Sequence, residues 1–395
     1  MRKAFFPGLP YTLSLRYLVG LDWTAMSFLG KLFSRGASHH IGIDFGSAEI
    51  KAVQVSQSAR GPVLEHVYRM PTPINAIKDG IVVDPPAVGD TLRQLVTDGA
   101  FTARRVVTSV TGPTVVVRQV TMPVMSEREL LESTKYEAER FLPYSVDEAQ
   151  IDAKILGRSE DGQNMDVLIV AAQKELVLSQ LSSLQAAGLQ ASVVEIEPFA
   201  MVRGMLSPED PAFEQNIAII NVGASSTSIN VTKGGFVPFT RYVPIGGDAM
   251  TRAIAGGMNI SPDEAEKMKR EKAAIITQGS TDPVAPTVTR LFNIITPPLT
   301  ELVSEIHKSL DYFRTRFRGE VIESVILGGG TARLSNIDSF LSQELGLPVV
   351  VADPLERVAY NAVDFPADYL RDMAPALIVA AGLARRDLAE AGRAA

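Results

Sequence analysis

The sequence predicts an α/β protein of two related lobes, with a small α/β subdomain inserted in the first. Two observations carry this: a strand–turn–strand pattern that occurs twice, and a run of strand and helix signals between the copies. The first copy pairs apolar runs at 41–45 and 50–55 through a Gly46-Ser47 turn, the signature of a β-hairpin. The second places runs at 217–222 and 228–231 around Gly223-Ala224-Ser225-Ser226-Thr227, so that Asp44-x-Gly46-Ser47 aligns with Asn221-x-Gly223-Ala224. Turns favour Gly, Ser and Asp in any protein. The apolar alternation on both flanks is what makes the pair a duplication.

A chain of 395 residues with 46% hydrophobic and 21% charged residues reads as an ordinary globular protein of two to four folding units. The 38 basic and 45 acidic residues give a net charge of −7, which offers no electrostatic footprint for nucleic acid. There is no cysteine, so disulfides, thiolate nucleophiles and cysteine-ligated metals are excluded, and a reducing compartment is compatible. His39, His40, His66 and His307 show no metal-ligand spacing, and neither a G-x-S-x-G elbow nor a Walker A run is present. The start is basic, but Pro7, Pro10, Arg16 and Asp22 break it well before the roughly 20 apolar residues a membrane helix needs. We therefore expect no transmembrane segment, a disordered extension over 1–40, and dispensable residues 1–25, with Met26 as the functional start.

The insertion is expected over 112–190. A strand at 115–120 precedes Ser126-Glu127-Arg128-Glu129, a capping box opening a helix that runs to Phe141 before Pro143. A strand at 165–171 and a helix at 174–187 complete it. In the second half, Ser261-Pro262-Asp263-Glu264 starts a helix, 277–289 reads as a loop and 300–317 as a long helix. The run 321–327 is a buried strand leading into Gly328-Gly329-Gly330-Thr331, Ser335 caps a helix ending at Gly346, and 374–386 is helical.

Glycine-rich turns after strands suit phosphate, because without a Cβ the backbone N–H groups approach anionic oxygens closely. This chain has three. Asp44, Gly46, Ser47, Ala48 and Lys51 form the first, with Asp44 able to hold a hydrated Mg²⁺ and Lys51 to neutralise phosphate. Asn221, Gly223, Ala224 and Ser225 lie in the second, and Gly328, Gly329, Gly330 and Thr331 form the third.

In order and spacing, IGIDFGSAEIKAVQV, IAIINVGASSTSINV and SVILGGGTARLSNI resemble the phosphate-1, phosphate-2 and adenosine motifs of the actin, DnaK-type chaperone and sugar-kinase superfamily, over 41–386. The resemblance implies a two-lobed actin-like fold, a duplicated ribonuclease H-like unit, that binds ATP and Mg²⁺. It implies metal roles for Asp44 and for Asn221, which stands where the superfamily usually has Asp. Ala265-Glu266-x-x-Lys269 resembles the nucleoside helix, with Glu266 on the ribose and Lys269 near the adenine; Gly246-Gly247-Asp248 resembles the turn entering the helical part of the second lobe.

Within the superfamily the chain is most similar to the PilM family of type IV pilus assembly proteins and next to FtsA, through KYEAERFLP at 135–143, VEIEPFAMVR at 194–203 and LIVAAGLARR at 377–386. That resemblance implies a cytoplasmic adaptor with weak or no ATPase activity. Its insertion would carry the N-terminal peptide of a PilN-like inner-membrane protein, placing it at the inner face of the membrane through that partner. The implied layout is a first lobe over 41–111, 191–215 and 366–395, the insertion, a second-lobe core over 216–250 and 321–365, and a helical part over 251–320. The rival readings are an FtsA- or MreB-like filament protein and a small-molecule kinase. A kinase needs a carboxylate base, for which Glu195 and Glu197 are candidates unless they are merely a solvated strand end.

Overall fold

The structure is a computed structural model describing residues 40–159, 162–277, 285–317 and 319–386. The expectations for 1–39 therefore lie outside the described residues. The chain divides into two compact units. The first runs to Gly204 and takes back Leu355–Phe365 and the chain from Val379; the second is Met205–Pro354 with Pro366–Ile378.

The first unit opens on β1 (His40–Phe45), β2 (Glu49–Ser58) and β3 (Gly61–Pro71), followed by a short ribbon of β4 (Ile77–Lys78) and β5 (Ile81–Val82). Next come α1 (Pro85–Asp98), β6 (Arg105–Val110), β7 (Val116–Pro123), α2 (Glu127–Glu139), β8 (Ala149–Arg158), β9 (Asn164–Gln173), α3 (Lys174–Ala186), β10 (Gln190–Ile196) and α4 (Glu197–Met205). The main sheet has the order β10-β6-β1-β2-β3; β1, β2 and β3 pair antiparallel, while β6 lies parallel to both β1 and β10. Ile41, Ile43, Ile50 and Ala52 bury one face of this sheet against Leu92 and Leu95 of α1 and Leu184 of α3. Asp84 accepts a hydrogen bond from the Ala87 N–H, and prolines at the first helical positions lose no intrahelical bond, so α1 starts sharply.

At the end of α1 the chain turns through Ala100 in the left-handed region, φ 53°. An L-residue with a Cβ costs about 1–2 kcal/mol there. Ala100 is exposed, so Ala100→Gly is expected to stabilise the protein by up to about 1 kcal/mol, the relief exceeding the entropy glycine adds to the unfolded chain. Urea unfolding compared with wild type checks it; a lower midpoint would contradict it.

The inserted elements form their own sheet, β7-β9-β8, antiparallel throughout. Leu130 of α2 packs on Met122, Met165, Val167 and Ile169. The expected capping box is present: Glu129 donates its N–H to Ser126 Oγ, and Ser126 donates its N–H to Glu129 Oε2 at 2.8 Å. Tyr144 ties the far side down by donating to the Thr114 carbonyl at 2.7 Å, and burial pushes its phenol up to about 12. Helix α3, read from sequence as the last element of this insertion, places Ala186 against Gly89 of α1 and Leu184 in the core beneath the main sheet.

The second unit repeats the first. Strands β11 (Ile217–Val222), β12 (Thr227–Lys233) and β13 (Phe236–Val243) are followed by α5 (Gly247–Met258), α6 (Pro262–Lys272), α7 (Pro286–Arg316), β14 (Ser324–Gly328), α8 (Ile337–Leu345), β15 (Val349–Val351) and α9 (Ala367–Met373). Its sheet order, β13-β12-β11-β14-β15, places three antiparallel strands beside two parallel ones, as in the first unit. Register preserves the correspondence: Asp44 faces Lys51 across the first hairpin and Asn221 faces Ser228 across the second.

Several boundaries differ from the sequence reading. The long helix begins at Pro286 rather than near 300, so the end of the expected loop is helical; 278–284 lie outside the described residues. Leu291, Ile295, Leu299 and Leu302 form a buried stripe that carries α7 through Pro297-Pro298 although each proline removes a helix hydrogen bond. The expected strand at 321–327 starts at Ser324, since Val321 is exposed. Asn336, not Ser335, precedes α8, in the left-handed conformation with its amide bonded to the Ile275 carbonyl. The expected helix at 374–386 is a 3₁₀ turn, Ala374–Leu377, continuing into α10 (Ile378–Ala384).

Candidate functional site

In the first unit, Asp44 and Lys51 are cross-strand partners, and Lys51 Nζ donates to Asp44 Oδ2 at 2.8 Å. Both are largely shielded, at 19% and 13% side-chain exposure, so salt screens the pair less than an open surface ion pair. Lys51 also reaches the Glu49 carbonyl at 3.3 Å, spanning the turn that holds Gly46, Ser47 and Ala48. Thr72, at the end of β3, fixes the same turn: its hydroxyl donates to the Gly46 carbonyl at 2.6 Å and its N–H to the Ala48 carbonyl.

In the second unit the two remaining glycine turns and the Gly246-Gly247 turn lie against one another. The Gly223 N–H is spent on the Ser226 carbonyl, closing the turn after β11. The Gly223 carbonyl accepts from the Gly247 N–H at 2.9 Å and the Thr331 hydroxyl at 3.1 Å, and the Ala224 carbonyl accepts from the Asp248 N–H. Gly329 is required: its φ is 93°, and a Cβ would lie 2.3 Å from the Val222 carbonyl oxygen and 2.7 Å from Asn221 Oδ1. The sequence-selected Asn221, Gly223, Ala224, Gly246, Gly247 and Gly329 are thus brought together within this unit, with Gly328 seated on Ile378 and Gly330 beside open space.

Beside these turns, Glu266 and Lys269 of α6 face Thr251 of α5. Lys269 Nζ donates to Glu266 Oε2 at 2.7 Å, Thr251 Oγ1 at 2.8 Å and the Gly247 carbonyl at 3.1 Å. Arg270 Nε donates to Glu266 Oε1 at 2.7 Å. Burial alone would raise the Glu266 pKa, but the hydrogen bond and charge of Lys269, with hydrogen bonds from Thr251 and Arg270, bring it down to about 2. The carboxylate is therefore an obligate acceptor at neutral pH.

Sequence reasoning passed over Thr72 and Thr251, and placed Thr331 in the third turn without a role for its hydroxyl; all three hold these turns. Thr251 left a signal too, four residues after Gly247 and so on the same helix face. The kinase candidates are corrected: Glu195 and Glu197 are not a solvated strand end. Glu195 is fully buried and bonded to Arg203 and Arg386, and Glu197 is 5% exposed. Both oxygens of the Glu195 carboxylate are thus taken up by guanidiniums.

For a metal, among the described residues no three His, Cys, Asp or Glu side chains cluster. Mg²⁺ with a nucleotide needs only one or two carboxylates beside phosphate and water. Asp44 Oδ1, which Lys51 does not engage, fits that role, and Asn221 offers an uncharged amide.

Two units of one topology, each with a glycine turn after its first strand, define the class: an actin-like protein of duplicated ribonuclease H-like units. The family model for type IV pilus assembly protein PilM matches residues 42–388, and the chain belongs to that family. It is similar to a solved PilM-PilN type IV pilus biogenesis complex, with TM-score 0.78 and 28% identity over 89% of this chain and 99% of that one. It is 25% identical over 199 residues to the cell division protein FtsA of Bacillus subtilis (strain 168), spanning 47% of this chain and 44% of FtsA. To the cell shape-determining protein MreB of Haemophilus influenzae it is 27% identical over 214 residues, spanning 48% and 60%. The chain thus spans less than two thirds of either curated relative. No helix among the described residues is long and apolar enough to cross a membrane.

Proposed function

We propose that this protein is an ATP-binding adaptor of a type IV pilus assembly machine, working at the inner face of the cytoplasmic membrane through a PilN-like partner. The observation that carries this is the near full-length likeness to a PilM in complex with PilN. Nucleotide binding is supported by the three turns, the Asp44–Lys51 pair and the ionised Glu266. Lys51 would meet phosphate, Glu266 the ribose, and Asp44 a Mg²⁺ arriving with the phosphates.

We assign the partner peptide to the inserted unit. Its three-stranded sheet ends in edge strands β7 and β8, and an extended peptide adding to such an edge gains main-chain hydrogen bonds. The test is binding of a synthetic PilN-type N-terminal peptide, by fluorescence anisotropy, to the full chain and to a variant whose residues 113–172 are replaced by a Gly-Ser linker. That replacement spares α3, whose Leu184 belongs to the main core. Loss of peptide binding with ATP binding retained is expected; retained peptide affinity would remove the insertion from the site.

A further inference from the structure

The second hairpin differs from the first on the sheet face turned away from its helices. Ala218, Ile220 and Val222 of β11 and Ile229 and Val231 of β12 belong to the core shared with α5, α6 and α7, so Ser228, Asn230 and Thr232, which alternate with them, lie on the other face. With Asp44 and Lys51 matched to Asn221 and Ser228, their counterparts in the first hairpin are Lys51, Val53 and Val55. All three polar residues are buried, Asn230 and Thr232 with no exposure at all. The Asn230 amide nitrogen donates to the Ile219 carbonyl at 3.4 Å and to Ser228 Oγ at 3.5 Å, which sets its oxygen on the opposite side. That oxygen and the Thr232 hydroxyl have no hydrogen-bond partner among the described residues. Their cross-strand neighbours are Ile219 and Ile217, whose side chains offer none. The ladder to β13 is irregular at the same place: the pairing shifts from Val231 opposite Phe239 to Lys233 opposite Phe236, and Pro238, which has no N–H, lies across the shift.

We propose that Asn230 and Thr232 form a binding site for one buried water molecule, hydrogen-bonded to Asn230 Oδ1 and Thr232 Oγ1 on this face of the second hairpin. The chemistry of the pair selects water. Oδ1 requires a donor and the hydroxyl proton an acceptor, and water is both, whereas a metal cation could not take the proton. The spacing agrees, since side chains two apart on a strand stand about 6.8 Å apart along it and a bridging water spans about 5.6 Å between its partners. Leaving both groups unmet in an apolar setting is costly, and internal waters are retained where two or more such groups converge. The site belongs to the second unit alone, because Val53 and Val55 give the first hairpin no polar side chain there. It stands independently of nucleotide and peptide binding.

A crystal structure of the full chain tests this directly. An ordered water within hydrogen-bonding distance of both atoms is expected; direct contact between the two side chains, or no density between them, would overturn the proposal. Urea unfolding gives a second readout through its sign. Thr232→Val keeps the shape and removes the hydroxyl, so a water-bridged site should lose about fivefold in the folding equilibrium constant, the worth of one hydrogen bond. A hydroxyl buried without water would instead be relieved by valine, and a raised midpoint would contradict the proposal. Asn230→Val should also lower the midpoint. The double variant, which copies the Val53 and Val55 pair of the first hairpin, should lose less than the two single losses summed, because both side chains act on one water. Strict additivity would place them in separate sites and overturn the proposal as well.

Discussion

Glu195→Ala is expected to cost about 3–5 kcal/mol of stability, the range for removing one partner of a buried ion cluster. Glu195 closes β10 with no exposure, and its two oxygens take Arg203 of α4 and Arg386 just beyond α10, each 5% exposed. Arg203 Nε also donates to the Gly382 carbonyl at 2.7 Å, while its Nη1 is buried without a partner. Without the carboxylate, two buried guanidiniums lose the ion-pair partner they share. Backbone packing adds to the constraint, because a Cβ on Gly382 would lie 1.8 Å from the Ala200 carbonyl oxygen, so α10 packs backbone to backbone against α4 and only glycine fits there. Urea unfolding of the full chain followed by circular dichroism measures the loss. Replacing Glu195, Arg203 and Arg386 together by apolar residues of similar volume should recover much of it, since the cluster's own desolvation cost then disappears. A loss below about 1 kcal/mol in Glu195→Ala would show that water reaches the cluster.

Glu195 also shows where sequence reading stops. Its partners stand 8 and 191 positions away, and no local period announces either. The hairpins were legible because their evidence is local: alternating apolar residues either side of a glycine turn fix strand, turn and register together. The Ser126 and Ser261 capping boxes were legible for the same reason. Strand β8 gave no signal, since after buried Ala149 its residues are half-buried up to exposed Arg158, without the alternation of a one-faced strand. In α7, Pro297-Pro298 argues locally against helix, and only the tertiary packing of Leu291, Ile295 and Leu299 outweighs it. In the candidate site the glycine turns could be read, but not the hydrogen bonds by which threonines hold them. The Thr331 hydroxyl bonds a carbonyl 108 positions away, which its place after three glycines does not announce.

On the proposed nucleotide-binding reading, Asn221→Asp is expected to speed ATP hydrolysis by about a hundredfold, from a wild-type rate expected to be very slow. Asn221, the last residue but one of β11, lies between Ser228 and Gly328, and its Oδ1 lies against Gly329, where any Cβ would come within 2.7 Å. The position is thus built into the glycine turns. A carboxylate there can orient an attacking water and accept its proton, whereas an amide oxygen can do the first only weakly and the second not at all. Binding should survive the difference, because the Asp44–Lys51 pair and Glu266 belong to other elements and are untouched. On this view ATP is a structural ligand for the wild type, stabilising the folded chain by mass action and not by turnover. Equilibrium binding should accordingly show similar Mg·ATP affinity for the two proteins, while single-turnover assays separate them. Brisk hydrolysis by the wild type, unchanged in Asn221→Asp, would mean that some other group handles the water and that the amide is tolerated without cost.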